Sequence, residues 1–202
     1  MEKCINITNG KDCCGCGACL NICPKDAITM AEDNAGFIFP KVDKALCVDC
    51  GLCKNVCVFS KKGEGENDNA QVYASVINNR GILENSSSGG VFSALANAVI
   101  EDGGVVFGAG WTDDFSVEHT FADNKNDLKK LRGSKYVQSL TGTTFREVKK
   151  LLTEGKTVCF SGTPCQISGL KAYLGKDYQN LFTVDIICHG VPSMKMLKDD
   201  IS

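Results

Sequence analysis

The 202-residue chain has no long hydrophobic run, no excess of either charge, four prolines, one tryptophan and two histidines. The apolar stretch Val105–Trp111 is far shorter than the about 20 residues that cross a bilayer, and the first 12 residues are too polar for a secretory signal. The net charge of −2, with both signs mixed, offers no basic stripe for phosphates. The composition therefore argues against membrane insertion and against nucleic acid as a partner.

Cysteine, in contrast, is abundant. The chain has 13 cysteines, and ten of them lie in the first 57 residues. An odd number, C-x-x-C spacings and the missing export signal argue against a secreted disulfide framework. They favour thiolates that hold metal in a reducing compartment, and we expect a cytoplasmic protein.

The amino-terminal cysteines form an internal repeat. The run from Cys13 to Pro24 reads C-x2-C-x2-C-x3-C-P, and the same cysteine spacing returns from Cys47 to Cys57, with Val58 in place of the proline. One glycine and one asparagine of each run coincide as well. Sulfurs at this spacing can wrap the corners of an iron–sulfur cube, so the repeat predicts a small pseudo-symmetric two-cluster module.

The two runs resemble those of two-cluster bacterial ferredoxins, in which the fourth cysteine of each run ligates the other cluster. The resemblance implies one [4Fe–4S] cluster on Cys13, Cys16, Cys19 and Cys57, and a second on Cys47, Cys50, Cys53 and Cys23. The competing readings are a four-cysteine zinc site and ordinary buried thiols. Zinc needs only pairs of sulfurs, so two complete runs of four favour iron. Cys4 and Cys14 remain as bystander thiols.

The sequence pattern divides the chain into three parts. Residues 1–60 are the ferredoxin-type domain, in which residues 27–30 and 36–40 predict a hairpin. Residues 61–70 are polar and predict a linker. Residues 71–202 alternate strand and helix signals, which are typical of an α/β domain. The expected fold class is α+β, a ferredoxin-like two-cluster module followed by an incomplete α/β domain with a largely parallel sheet.

Within residues 71–202, the runs 72–77 and 105–111 predict strands, and helices are expected from residue 91 and from residue 144. The second helix is expected to open with a capping box formed by Thr144 and Glu147. A β-α-β unit follows, with a strand at 156–160, a helix at 164–174 and a strand at 181–188. Such a unit joins parallel strands.

The β-α-β unit places two cysteines at one edge of the sheet. Cys165 lies just past the carboxyl end of the first strand and Cys188 lies at the end of the second, where ligand crevices form in open parallel sheets. The start of a helix also favours the Cys165 thiolate. Buried structural thiols are the alternative reading, and Cys159, inside a strand, is assigned to packing.

Two further segments each allow two interpretations. The serine-glycine stretch that ends at Gly90 would suit a phosphate at a helix start, or would simply cap the helix. The stretch from Arg132 to Tyr136 would serve a flavin or a solvated turn. His189 would relay protons or act as a hydrogen-bonded structural residue.

Taken together, five motifs resemble those of the family of coenzyme F420 hydrogenase/dehydrogenase beta subunits. They are the double ferredoxin run and the segments 86–95, 131–139, 160–166 and 185–192. The resemblance implies a flavoprotein that binds FAD and iron–sulfur clusters. It implies FAD contacts from Ser87, Ser88, Gly89, Gly90, Gly133, Ser134, Lys135 and Tyr136. It also implies that Cys165 and Cys188 are two of four ligands of a third [4Fe–4S] cluster.

Two functions follow as competing expectations. The first is a flavin and iron–sulfur oxidoreductase component that moves electrons between a soluble hydride carrier, deazaflavin or NAD(P)H-like, and a redox partner protein or subunit. The second is a non-enzymatic ferredoxin-type electron-transfer protein whose α/β part is a docking body.

The third-cluster partners in the family, a C-x-x-C pair, do not occur after Cys188, so we expect a truncated chain. A redox switch through Cys165 and Cys188 is a third reading.

Overall fold

The computed structural model describes residues 4–5, 12–60 and 70–201, so the predicted linker at 61–70 lies outside the described residues except for residue 70. The first part of the chain contains α1 (Ala18–Ile22), β1 (Ile28–Glu32), β2 (Ile38–Val42), α2 (Leu52–Val56) and a 3-10 turn (Val58–Ser60). The second part contains α3 (Arg80–Glu84), α4 (Val91–Glu101), β3 (Val105–Trp111), β4 (Val117–Ala122), α5 (Lys125–Leu131), α6 (Thr144–Thr153), β5 (Val158–Gly162), α7 (Pro164–Leu174), β6 (Leu181–Asp185) and α8 (Met194–Ile201).

The two cysteine runs adopt the same backbone conformation. Helix α1 starts after Gly17 at φ 79° and ψ −2°, and helix α2 starts after Gly51 at φ 81° and ψ −4°. This left-handed region is open to glycine at no steric cost. The helices end at Cys23 and Cys57, whose φ values are −69° and −67°. The sequence repeat is therefore confirmed as a structural repeat.

The predicted hairpin between the two runs is confirmed, with its strands shifted by one or two residues. Strands β1 and β2 are antiparallel, with Ile28 opposite Val42. Ile28 is buried in an apolar cluster that also contains Cys19 and Cys53. The hairpin thus covers the cysteine-bearing helices on their apolar side.

The sheet of the second part has the strand order β4-β3-β5-β6. Strands β3, β5 and β6 are parallel to one another, and β4 is antiparallel to β3. The predicted β-α-β unit is confirmed as β5, α7 and β6. The helix bounds match, but the strands lie at 158–162 and 181–185 instead of 156–160 and 181–188, so Cys188 follows its strand. The fold is α+β with a mostly parallel sheet, as expected. Strand β4 was not predicted, although burial alternates over its first four residues.

The predicted strand at residues 72–77 is wrong. These residues pair with no strand, and Val72 and Tyr73 are 95% and 75% exposed. Ile77 instead donates its backbone N–H to the carbonyl oxygen of Gly89, at 2.8 Å. Residues of high β propensity form a strand only where a neighbour supplies a hydrogen-bonding and packing surface.

The predicted capping box at the start of α6 is also wrong. Thr143 is the N-cap residue, and the Thr144 hydroxyl donates to the carbonyl oxygen of Thr141 at 2.6 Å. The helix therefore starts where expected, with a different local pattern of hydrogen bonds.

The two parts of the chain share one hydrophobic core. Ala18 and Val56 of the cysteine-rich part belong to the same buried cluster as Phe145, Phe160 and Leu170 of the α/β part. Helix α1 contacts both α6 and α7. The cysteine-rich part is thus held in a fixed position against the sheet domain. Within the described ranges, no helix is long and apolar enough to cross a membrane.

Candidate metal centres and cofactor pocket

The cysteines of the second run surround a narrow cavity together with one cysteine of the first run. Cys47, Cys50, Cys53 and Cys23 all line it, with Ile28 and Val42 among the apolar walls. Cys23 comes from the far end of α1, so the two halves of the repeat meet at this cavity. The structure thus brings together the four residues that the ferredoxin resemblance groups around the second cluster.

Burial and neighbouring thiols affect the cysteines proposed for the first cluster. Burial is the main cause that raises the pKa of Cys19 to about 12, and the neighbouring Cys13 and Cys57 raise it further. Burial also raises the pKa of Cys13, which is affected by Cys57 as well. Cys57 thus affects the pKa of both Cys13 and Cys19, and Cys165 and Cys53 contribute to these two pKa values as well. Coordinated metal deprotonates thiols outright, which would offset the cost of these buried charges.

Cys16 completes the first group from the side of the α/β domain. It packs against the shared hydrophobic core. A Cβ atom at Gly169 of helix α7 would lie 3.0 Å from the Cys16 sulfur and 3.2 Å from its Cβ. The absence of a side chain at Gly169 therefore makes room for Cys16.

The donor set suits iron–sulfur chemistry. Each group offers four thiols, and backbone N–H groups donate to the sulfurs of Cys13 and Cys23 at 3.3 and 3.4 Å. In the described part of the chain, no three Cys, His, Asp or Glu side chains are grouped closely enough to hold a single ion. Ligands of a four-iron cube stand farther apart, because the cube itself lies between them.

A second, much larger pocket of about 1030 Å³ lies at the carboxyl ends of the parallel strands. Both segments that the family resemblance assigned to FAD line it: Ser87, Ser88, Gly89 and Gly90, and Gly133, Ser134, Lys135 and Tyr136. The Ser134 N–H donates to the Ser87 hydroxyl at 2.9 Å. The two segments, 47 residues apart in sequence, therefore form one wall.

Two cationic side chains, Arg132 and Lys135, lie on the pocket wall. Among the described residues, the buried Nε of Arg132 has no hydrogen-bond partner. The Lys135 ammonium donates to the carbonyl oxygens of Lys130 and Arg132, at 3.1 and 2.8 Å, and burial lowers its pKa to about 8. A buried guanidinium nitrogen without a partner carries a desolvation cost that an anion would offset. These residues fit the pyrophosphate of a dinucleotide.

His119 lines the same pocket and was missed at the sequence level. Its Nε2 donates to the carbonyl oxygen of Ser161 at 3.1 Å, and its Nδ1 accepts from the Ser139 hydroxyl at 3.3 Å. Burial lowers the pKa of His119 to about 4, so the imidazole is neutral at physiological pH. The residue lies in β4, the strand that was not predicted, and no sequence motif marks it.

Four cysteines also line the large pocket: Cys13, Cys14, Cys165 and Cys188. Cys165 and Cys188 therefore share one crevice, as the β-α-β unit predicted. Cys14, interpreted as a bystander, is hydrogen-bonded to Cys165, and this contact is the main cause that raises the pKa of Cys165. Its hydrogen bond with Cys16 is the main cause that raises the pKa of Cys14 to about 12. The cysteine-rich part thus reaches the pocket wall.

Three segments of the chain match models of known protein families. Residues 12–60 match the 4Fe-4S dicluster domain. Residues 72–145 match the amino-terminal domain, and residues 155–202 the carboxyl-terminal domain, of the coenzyme F420 hydrogenase/dehydrogenase beta subunit. These two matches to one family together span more than half of the chain.

Three relatives cover most of the chain. An uncharacterized protein from Methanocaldococcus jannaschii is 28% identical, over 82% of this chain and 53% of its own length. A subunit of the F(420)H(2) dehydrogenase from Methanosarcina mazei is 27% identical, over 76% of this chain and 46% of its own. A chain of the F420-reducing [NiFe] hydrogenase complex from Methanosarcina barkeri has the same fold over 68% of this chain and 52% of its own, with 22% identity and a TM-score of 0.50. The chain spans about half the length of these relatives.

A dicluster module packed on a pocket-bearing α/β domain defines the class of the protein, an iron–sulfur electron-transfer protein. Its α/β part carries both domains of one family. The chain belongs to the family of coenzyme F420 hydrogenase/dehydrogenase beta subunits.

Proposed function

We propose that the chain is an oxidoreductase component that carries electrons between a soluble hydride carrier and a one-electron partner, through FAD and two [4Fe–4S] centres. The observation that carries this proposal is the position of Cys13. This first-centre cysteine lines the same pocket as both proposed FAD segments. A cofactor held in the pocket would therefore lie beside the first centre.

The proposed ligands are those of the crossed ferredoxin arrangement. Cys13, Cys16, Cys19 and Cys57 hold the first centre, and Cys47, Cys50, Cys53 and Cys23 hold the second. The shared cavity of the second set and the effect of Cys57 on the pKa of both Cys13 and Cys19 support this assignment. Because each helix ends at a ligand of the other half's centre, metal binding joins the two halves and contributes to folding.

The FAD site is proposed along the wall formed by Ser87 to Gly90 and Gly133 to Tyr136. Helix α4 has 11 residues and begins immediately after Gly90, so its free N–H groups and the serine hydroxyls can bind phosphate. Arg132 and Lys135 provide the positive charge. FAD supplies the conversion of a two-electron hydride into single electrons, while the protein positions it and excludes water.

Cys165 and Cys188 are proposed as ligands of a further [4Fe–4S] centre in the same pocket. Both line it, and Cys165 lies in the first turn of α7. Metal coordination would offset the contact with Cys14 and the burial that raise its pKa. Two more thiolates are needed to complete such a centre. Cys13 and Cys14 line the same pocket, so such a centre would lie near the first centre.

The names of two relatives support a partner subunit and a deazaflavin-type carrier. One is a subunit of an F(420)H(2) dehydrogenase, and the other belongs to an F420-reducing hydrogenase complex. We propose reduced coenzyme F420 or NAD(P)H as the hydride donor, and a redox protein or subunit as the electron acceptor.

The test uses the anaerobically reconstituted chain with FAD. We expect stoichiometric FAD binding, and bleaching of the iron–sulfur absorption when reduced coenzyme F420 or NAD(P)H is added. Reduction of the clusters by dithionite without FAD binding, and without reaction with either carrier, would favour the ferredoxin-type alternative. Lys135→Met is the matched variant, because it alters the pocket wall and leaves every cysteine in place.

A further inference from the structure

The segment Cys4–Ile5 closes the cavity of the second centre, although it belongs to neither cysteine run. Both residues are buried, at 7% and 8% exposed, in the cluster that contains Cys53. Cys4 lines the cavity together with the four proposed ligands of the second centre. The cavity of the second centre therefore has a wall that neither cysteine run supplies.

This segment adds one hydrogen bond to a proposed ligand. The Ile5 N–H donates to the Cys53 sulfur at 3.2 Å, across 48 residues of sequence. Cys53 also receives a backbone hydrogen bond from its neighbour Lys54. Cys19, the equivalent residue of the first run, receives the corresponding bond from Leu20. In the part of the chain that the structure describes, no distant N–H group donates to Cys19, so the donor from Ile5 distinguishes the two halves of the repeat.

Two contacts hold the segment in place. The Cys4 N–H donates to the Asp49 carboxylate at 3.0 Å, and Asp49 adopts φ 50°, a left-handed conformation. The Lys44 ammonium donates to the Cys4 sulfur at 3.2 Å. A positive charge from Lys44 and a negative charge from Asp49 therefore both lie beside Cys4 and fix its position.

We infer that the Cys4–Ile5 segment raises the reduction potential of the second centre above that of the first, so that electrons entering from the pocket settle on the second centre. The inference rests on the proposed function. Reduction adds one negative charge to a cluster and breaks no bond. Hydrogen bonds to the sulfurs and solvent exposure both stabilise that charge. Cys50 is exposed, whereas Cys16, its counterpart in the first run, is only partly exposed.

The first test removes the N–H donor and keeps every cysteine. In Ile5→Pro the backbone donor is lost, and in Ile5→Val it remains. We expect an EPR-monitored redox titration of the reconstituted full chain to show a lower midpoint potential for the second centre in Ile5→Pro only, with iron content unchanged. The EPR signal that is missing in the Cys50→Ala variant is the signal of the second centre.

A second pair of variants covers the case in which Ile5→Pro fails to fold. Asp49→Asn keeps an oxygen acceptor for the Cys4 N–H, and Asp49→Gly does not. Both remove the same charge, and both residue types tolerate a positive φ. We expect the potential of the second centre to be lower in Asp49→Gly than in Asp49→Asn.

Two results would overturn the inference: equal potentials of the two centres in the unmodified chain, or equal potentials within both variant pairs. Failure of the proposed function looks different. It would show as missing clusters, or as clusters with the expected potentials and no reaction with FAD or a hydride carrier.

Discussion

Arg146 of helix α6 binds the backbone of Cys23 at the end of helix α1, where its Nη2 donates to the Cys23 carbonyl oxygen at 3.0 Å. The same guanidinium donates to the carbonyl oxygens of Leu20 and Asn21, at 3.1 and 2.8 Å. It also forms an ion pair with Asp26 at 2.7 Å. One side chain of the α/β domain therefore satisfies the end of a helix that carries cluster ligands.

Replacing this arginine should loosen both the interface and the second centre. Arg146→Ala removes three hydrogen bonds and the ion pair with Asp26, which should cost about 2–4 kcal/mol of folding free energy. Denaturant unfolding of the reconstituted chain, followed by cluster absorption, measures the change. Arg146→Lys retains the charge, so its unfolding midpoint should lie between those of Arg146→Ala and the unmodified chain. An unfolding midpoint of Arg146→Ala equal to that of the unmodified chain would contradict this role.

Gly169 should be required by the first centre. In Gly169→Ala the new methyl group would lie 3.0 Å from the Cys16 sulfur, and overpacking of this kind costs about 1–3 kcal/mol. We expect loss of iron from the first centre before the second. Gly81→Ala is the matched control in a helix, because its Cβ would meet only the Asn79 side chain at 3.6 Å. Equal iron content in the two variants would refute the requirement.

Arg132 and Lys135 should contribute to FAD affinity. Each charge-assisted hydrogen bond to phosphate contributes about 1.5–3 kcal/mol, so Arg132→Leu or Lys135→Met should weaken binding by at least about tenfold. Fluorescence titration with FAD measures the dissociation constant. Lys129→Met, an exposed lysine of the same region outside the pocket, should bind FAD as the unmodified chain does. Unchanged affinity in both pocket variants would remove the proposed phosphate site.

His119 should make stability fall in mild acid. Its pKa in the folded chain is about 4, below the unfolded value of about 6.5, so the unfolded state binds the proton first. The stability contributed by neutral His119 is complete above pH 6.5 and decreases as the pH falls toward 4. Between pH 7 and pH 5 the loss should be about 2 kcal/mol.

Denaturant unfolding across this pH range measures that loss, with His119→Gln as the comparison. Glutamine keeps an amide donor and an acceptor near Ser161 and Ser139 and does not titrate. The difference in unfolding free energy between the two chains should therefore change with pH. Parallel pH profiles would show that His119 is not the group responsible.

The cysteine-rich module was predictable because metal geometry determines sequence spacing. Ligands of a cube must recur at short, regular intervals, and the turns between them require glycine at positions such as Gly17 and Gly51. The β-α-β unit was predictable for a similar local reason, since Thr163 and Pro164 mark the start of α7. Its Gln166 side chain accepts from the Thr163 N–H at 3.0 Å.

The residues that sequence did not identify depend on contacts distant along the chain. Arg146 has no motif, and its role arises from the packing of α6 against α1. Cys4 and Cys14 resemble spare thiols in sequence. In the structure each lies beside a residue more than 40 positions away, Cys53 for Cys4 and Cys165 for Cys14. The false strand at 72–77 has the same origin, because its β propensity was not matched by a neighbouring strand.

Iron and acid-labile sulfide analysis of the anaerobically reconstituted chain, alone and as Cys50→Ala, tests the central claim most directly. Two [4Fe–4S] centres predict about eight irons and eight sulfides per chain, falling to about four of each in the variant. Stoichiometric zinc without sulfide, or an iron content that Cys50→Ala leaves unchanged, would contradict the account.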